Sequence, residues 1–276
     1  MSIGSHGRAG LLGTCLFLGA CNQAAGPAEP AQDAAALTQL AAVPTNDIEK
    51  TPELLQVAMS GGESLYATHC ASCHGADLKG VAAQHTPDLT DNDWIYAGDD
   101  LDTGGIVHNA ADIEKTILYG IRAVPRATDR PSQRENDAAN LQYKNLADMP
   151  AMGAEPYNLT DAEMADVTEY VLQLSGQAHD APIAARGKAV FDDKGSCYDC
   201  HGGDGSGDMA LGSTNLTKPG LYLYGSGRTA ILASIRDGRK TVMPGFEGRL
   251  KPEEVKAIAV YTLSQGGRGA FTPPPQ

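Results

Sequence analysis

Two short stretches concentrate the reactive side chains of this chain: Cys70-Ala71-Ser72-Cys73-His74 and Cys197-Tyr198-Asp199-Cys200-His201. Two thiols with two residues between them sit about one helical turn apart. They can therefore reach the two vinyl carbons of one porphyrin, while the adjacent imidazole lies under the iron. C-x-x-C-H is the attachment pattern of c-type haem. A thioredoxin-like pair expects a strand before it and usually lacks the His. A zinc site wants its thiolates in one cluster, but these pairs lie 127 residues apart and each has its own His. The expectation is two covalently bound haem c groups. Cys70, Cys73, Cys197 and Cys200 would form the thioethers, and His74 and His201 would be the proximal iron ligands.

A sixth ligand is expected from Met-Pro in a loop. The thioether is soft and favours reduced iron, and Pro fixes the backbone beside it. Met243-Pro244 supplies this in the second half, where Met209 lies too near the proximal His201. Met149-Pro150 is its counterpart in the first half, with Met152 as the alternative. His85 and His108 could ligate by type but read as surface or propionate-facing groups, and His69 reads as exposed. Trp94, Tyr96, Tyr222 and Tyr224 either hydrogen-bond propionates or pack on a haem edge. A closed His/Met site leaves no room for substrate, so the pattern points to electron transfer and away from small-molecule catalysis.

The elements that must position these groups recur. Gly62-Glu63-Ser64-Leu65-Tyr66 before the first motif parallels Gly187-Lys188-Ala189-Val190-Phe191 before the second. Pro87-Asp88-Leu89-Thr90 parallels Thr214-Asn215-Leu216-Thr217, and Ile117 to Arg122 parallels Ile235 to Lys240. In the latter pair Gly120 and Gly238 read as helix stops. Leu159, Glu163, Met164, Val167, Tyr170 and Leu172 recur 91 residues later as Leu250, Glu254, Val255, Ile258, Tyr261 and Leu263, at helical spacing. The fold class is therefore all-α, two tandem class I cytochrome c-like domains. In sequence order they span 56–176 and 184–268, each closed by its own Met loop and C-terminal helix. The linker, 177–183, has Gly176 before it and Pro182 within it as punctuation.

The N-terminus reads as a targeting signal. Arg8 precedes an apolar run from Ala9 to Ala20, too short to span a bilayer as a helix. It ends in Leu18-Gly19-Ala20-Cys21, which resembles a bacterial lipobox in which Cys21 is lipidated. Residues 21–55 read as a flexible tether and 269–276 as a disordered tail. The chain would be periplasmic, held to a membrane by an N-terminal lipid. The formal charge of −13 excludes nucleic acid as a natural partner and favours a basic redox protein.

The order C-x-x-C-H-G, P-x-L-T-D-x-x-W-x-Y, helix-Gly and Met-Pro, with its second copy, resembles the dihaem subunit III of cbb3-type cytochrome c oxidase over residues 60–266. That resemblance implies a subunit that takes electrons from a soluble carrier and feeds an oxidase core. It also implies that Cys70, Cys73, His74 and Met149 serve one haem and that Cys197, Cys200, His201 and Met243 serve the other. Two features depart from the family. A lipobox stands where a transmembrane helix is usual, and Met149 lies 29 positions after Gly120 whereas Met243 lies 5 after Gly238. The long insertion carries Arg122, Arg126, Arg130 and Arg134 and reads as a solvated loop, with a docking surface or a cover over the haem edge as the alternative. The expected function is single-electron transfer between redox partners in a respiratory chain toward a terminal oxidase. The alternatives are a cytochrome subunit of a periplasmic dehydrogenase and a dihaem peroxidase, the latter needing one open iron position.

Overall fold

The computed structural model describes residues 35–91, 98–100, 105–107, 109–123, 148–208 and 211–266. The signal and Cys21, Trp94, Tyr96, His108, Met209, the insertion's Arg126, Arg130 and Arg134, and the C-terminal tail lie outside them.

The described chain is helical, as expected. Helix α1 is Pro52–His69, α2 Ala71–His74, α3 Ala110–Tyr119, α4 Asp161–Leu174, α5 Ala181–Asp192, α6 Tyr198–His201, α7 Arg228–Asp237 and α8 Pro252–Gln265. One antiparallel hairpin, β1 (Gly98–Asp100) and β2 (Gly105–Val107), interrupts the pattern. Local chemistry sets the helix starts. The Asn109 side chain accepts from the Asp112 N–H at 3.0 Å ahead of α3, and Thr160 and Glu163 form a capping box on α4. Asp180 caps α5 through the Ile183 N–H at 3.0 Å, and Pro252 opens α8.

The division of the chain between the two haem-motif units differs from the sequence-order reading. Helix α8 packs on α1 and α3, whereas α4 packs on α5 and α7. One unit is therefore contiguous: Met149, α4, α5, the second motif and α7. The other begins with residues 35–123, is interrupted by that contiguous unit, and is completed by the Met243 loop and α8. The apolar clusters divide the same way. One comprises residues from Met152 to Ile235, including Val167, Tyr170 and Phe191. The others combine Leu37 to Ile117 with Phe246 to Val260. The segment 177–183 is thus a turn within one unit and no boundary between two.

The two helix crossings are chemically alike. A Cβ on Gly62 would lie 2.3 Å from the Ala257 carbonyl, and one on Gly187 would lie 1.9 Å from that of Asp166. Only glycine allows such an approach. Asp166 and Ala257 are repeat equivalents, as are Tyr170 and Tyr261. Tyr170 meets Phe191 at 5.2 Å and Tyr261 meets Tyr66 at 5.8 Å. Both crossings are formed between the two sequence halves.

A second correction concerns the tether. Within the expected 21–55 span, residues from Leu37 onward are packed: Leu37 is 6% exposed, and Leu40 and Ile48 are fully buried. Lys256 on α8 donates from Nζ to the carbonyls of Leu40, Ala41 and Val43 at 3.3, 2.9 and 2.7 Å. The apolar side chains Leu37, Leu40 and Ile48, spread through an Ala-rich stretch, bury themselves on α1 and α8. No described helix is long and apolar enough to cross a membrane.

Candidate haem sites

Each C-x-x-C-H follows a helix that brings an aromatic beneath it, Tyr66 from α1 and Phe191 from α5, both almost wholly buried. The motif then folds as a single helical turn, α2 or α6, closed by a glycine with φ near +79 or +73. The loops beyond the two glycines match bond for bond. The Thr86 hydroxyl donates to the Cys73 carbonyl at 2.6 Å and accepts the Val81 N–H at 2.7 Å. The Ser213 hydroxyl does the same for Cys200 and Asp208. Leu89 N–H reaches the Leu78 carbonyl, and Leu216 N–H reaches that of Gly205. These hydroxyls escaped the sequence reading, although both lie 12 residues after the histidine.

The proximal imidazoles are buried and oriented. His201 Nδ1 lies 2.9 Å from the Thr214 carbonyl; a proton on Nδ1 leaves the Nε2 lone pair free to ligate. The equivalent carbonyl, Pro87, lies near His74 without closing a bond of normal geometry. His74 Nδ1 is the one buried side-chain nitrogen or oxygen without a partner among the described residues. Burial lowers the pKa of both histidines, which keeps them in the neutral, ligating form. Burial pushes the Cys70 thiol up to about 11 and that of Cys197 to about 12. The four motif cysteines are free of disulfides.

The methionine loops are where the two sequence halves meet. Met243 and Ile121 exchange backbone hydrogen bonds at 2.9 and 3.0 Å, and Met149 and Arg239 do so at 3.1 and 2.9 Å. Ile121 follows Gly120 at the end of α3, and Arg239 follows Gly238 at the end of α7. Both glycines have positive φ, 67° and 69°, and a Cβ on either would strike the carbonyl of Met243 or Met149 at 2.3 or 2.5 Å. Met243 thus docks in the unit of His74, and Met149 in the unit of His201. This reverses the pairing implied by sequence order. The same symmetry separates Met149 from Met152. Met152 N–H bonds to the Ile235 carbonyl as Phe246 N–H bonds to that of Ile117. Met152 and Phe246 are 5% and 7% exposed. Met152 therefore occupies a core position that its equivalent fills with Phe, and Met149 occupies the loop position equivalent to Met243.

A cavity of about 500 Å³ is lined by both motifs, both Met-Pro pairs and apolar groups including Ile117, Val171, Ile231 and Ile258. This donor set fits covalent haem: paired thiols, an oriented neutral imidazole and a thioether for each motif, around mainly apolar walls. The other candidates have different work. His85 Nδ1 contacts the Leu223 carbonyl at 3.0 Å and stacks on Tyr224 at 4.0 Å; Arg239 lies over the same ring at 4.5 Å. Tyr224 shares a 2.6 Å bond with Thr241 Oγ1, and the Tyr222 hydroxyl donates to the Leu216 carbonyl at 2.6 Å. His69 ends α1 and is exposed, as expected. Arg122 donates to the Gly212 carbonyl at 3.2 Å and Arg239 to Ser234 Oγ at 3.1 Å. Both arginines line the cavity.

Comparison with known proteins gives the same reading at two levels. The family model described as Cytochrome c matches residues 59–175, and that described as Cytochrome C oxidase, cbb3-type, subunit III matches residues 182–261. The chain is 38% identical over 235 residues to the cbb3-type cytochrome c oxidase subunit FixP of Azorhizobium caulinodans, covering 85% of this chain and 69% of that protein. It is 34% identical to the cbb3-type cytochrome c oxidase subunit CcoP of Cereibacter sphaeroides, over 80% of this chain and 65% of that one. A FixP of Bradyrhizobium is 35% identical, with 84% and 69% covered. The chain thus spans about two thirds of these relatives' length.

Proposed function

The chain belongs to the family of cbb3-type cytochrome c oxidase subunit III, and on that premise we propose that it carries two haem c groups and passes single electrons toward a terminal oxidase. One haem would be attached at Cys70 and Cys73, with its iron held by His74 and Met243. The other would be attached at Cys197 and Cys200, with His201 and Met149. The observation that carries this assignment is the reciprocal backbone pairing of Met243 with Ile121 and of Met149 with Arg239. Each bound iron supplies a one-electron couple, tuned upward by a thioether ligand.

The chain's own groups do the rest. Thr214 fixes the His201 tautomer, the buried aromatics exclude water from the proximal side, and the pairing of the two loops sets both sulfurs from one junction. Oxidase subunits are the partners that the relatives' names support. We assign the periplasm and a lipid anchor at Cys21 from the Leu18-Gly19-Ala20-Cys21 sequence. The test is absorption spectroscopy of the purified protein with and without carbon monoxide. Two haems per chain, a far-red methionine–iron band for both, and no carbon monoxide adduct are expected. A five-coordinate haem in the untreated protein would sink the ligand assignment and revive peroxidase chemistry. For the anchor, Cys21→Ser should move the protein from the membrane to the soluble fraction.

A further inference from the structure

The two haem motifs are near copies in backbone, yet their outer faces differ. Between the thioether cysteines the first motif has Ala71 and Ser72, and the second has Tyr198 and Asp199. Tyr198 is 43% exposed, and with Val242 it is one of two exposed large hydrophobics among the described residues. Its phenol is raised above its ordinary pKa by Asp199 first and then by burial and Asp193, which places both carboxylates in its field. Among the described residues, neither aspartate takes part in an ion pair.

The charge around the motifs differs as sharply. From the residue after the buried aromatic to seven beyond the histidine, the first copy (67–81) holds Asp77 and Lys79. The second copy (192–208) holds Asp192, Asp193, Asp199, Asp204 and Asp208 against Lys194. The first segment is formally neutral and the second carries −4, with Asp192 in that segment paired to Lys188. Those five aspartates are all exposed. Lys194 itself is bound to Glu163 at 2.7 Å. Val242, by contrast, has Lys240 and Arg239 just before it and no acid within that loop.

We propose that the Tyr198 face of the second motif is the docking surface for the electron donor, a small redox protein with a lysine-rich rim around its own redox centre. An exposed aromatic gives the apolar centre that short-lived redox complexes require, and the Asp193 and Asp199 carboxylates beside it, within an acidic segment, steer a basic partner to it. Charge complementarity identifies the occupant: the first motif offers neither the aromatic nor the charge. In the step itself one electron leaves the reduced donor and reduces the ferric haem held at Cys197 and Cys200, with no atom transferred. The inference rests on the electron-carrier reading above.

The test is stopped-flow electron exchange between the holoprotein and reduced, lysine-rich mitochondrial cytochrome c as probe, across ionic strength. The wild-type second-order rate should fall steeply with salt. Asp193→Asn with Asp199→Asn should lower the low-salt rate about fivefold and flatten its salt dependence. Tyr198→Ala should slow the reaction at high salt as well. Glu53→Gln with Glu63→Gln on exposed sites of α1 changes the net charge equally and should leave the rate within about twofold. Equal effects of the two charge pairs, or a wild-type rate indifferent to salt, would overturn the proposal. The spectra of the same samples separate the two failures. If both haems are six-coordinate and inert to carbon monoxide while the rate ignores this face, the docking surface falls and the carrier reading stands.

Discussion

Cutting the chain at the boundary read from the repeat should give a worse protein than cutting it where the packing divides. Residues 148–240 contain the whole apolar cluster around Phe191: Met152, Leu159, Met164, Val167, Tyr170, Val171, Leu172, Leu216, Ile231 and Ile235. Residues 177–268, the linker plus the second domain in sequence order, lack the first seven of those partners. At about 2 kcal/mol for each buried apolar side chain, that loss is about 14 kcal/mol, as large as the whole stability of a typical domain. Helix α8 could fold back into the place of α4. It would then bring Val260 to the position of Glu169, whose carboxylate holds Arg228 and the Asp180 N–H. Those charged hydrogen bonds would be lost. The Met243 loop would also have to double back within the five residues that follow Gly238. Both fragments can be expressed with haem attachment and compared by thermal melting, the far-red methionine band and carbon monoxide binding. The 148–240 fragment should hold one six-coordinate haem and melt cooperatively. The 177–268 fragment should be unfolded or bind carbon monoxide. The reverse outcome would refute the exchanged pairing.

Four further outcomes follow from contacts described above. Met149→Ala should open one iron to carbon monoxide with a modest loss of stability. Met152→Ala should leave the methionine band intact and cost about 2–5 kcal/mol on thermal melting, because it empties a core position. Lys256→Met removes the donor to three carbonyls at Leu40, Ala41 and Val43. Limited proteolysis near residue 41 should accelerate at least severalfold while the haem spectra stay unchanged. Glu169 is held below its ordinary pKa chiefly by Arg228, with the Asp180 N–H adding to it against the opposing effect of burial. Its contribution is therefore present above the ordinary glutamate pKa and is lost as pH falls toward the depressed folded value. Glu169→Gln should lower the melting temperature at neutral pH and shrink the difference from wild type in acid.

The chemistry of this protein was legible in the chain because it is local. C-x-x-C-H is complete within five residues, Met-Pro within two, and the helix stops at Gly120 and Gly238 within one. The amphipathic helices 161–174 and 252–265 were visible because their apolar spacing and first turns are sequence properties. The packed segment around Leu37, Leu40 and Ile48 was not visible, since three apolar residues in an Ala-rich stretch show no periodicity until α1 and α8 provide a surface. Which helix and which methionine complete which unit could not be read either. The two copies present the same apolar contacts, with Gly62 or Gly187 under a helix backbone and Tyr66 or Phe191 against a tyrosine, so the apolar pattern of each closing helix suits both sites. Tertiary structure decided between them through the connections. The turn from Leu174 to Ala181 lets α4 fold directly onto α5, and the short run from Gly238 to Met243 passes straight on to Ile121. The sequence determined the groups that meet a haem, and the lengths between them, expressed only in three dimensions, determined which groups meet the same one.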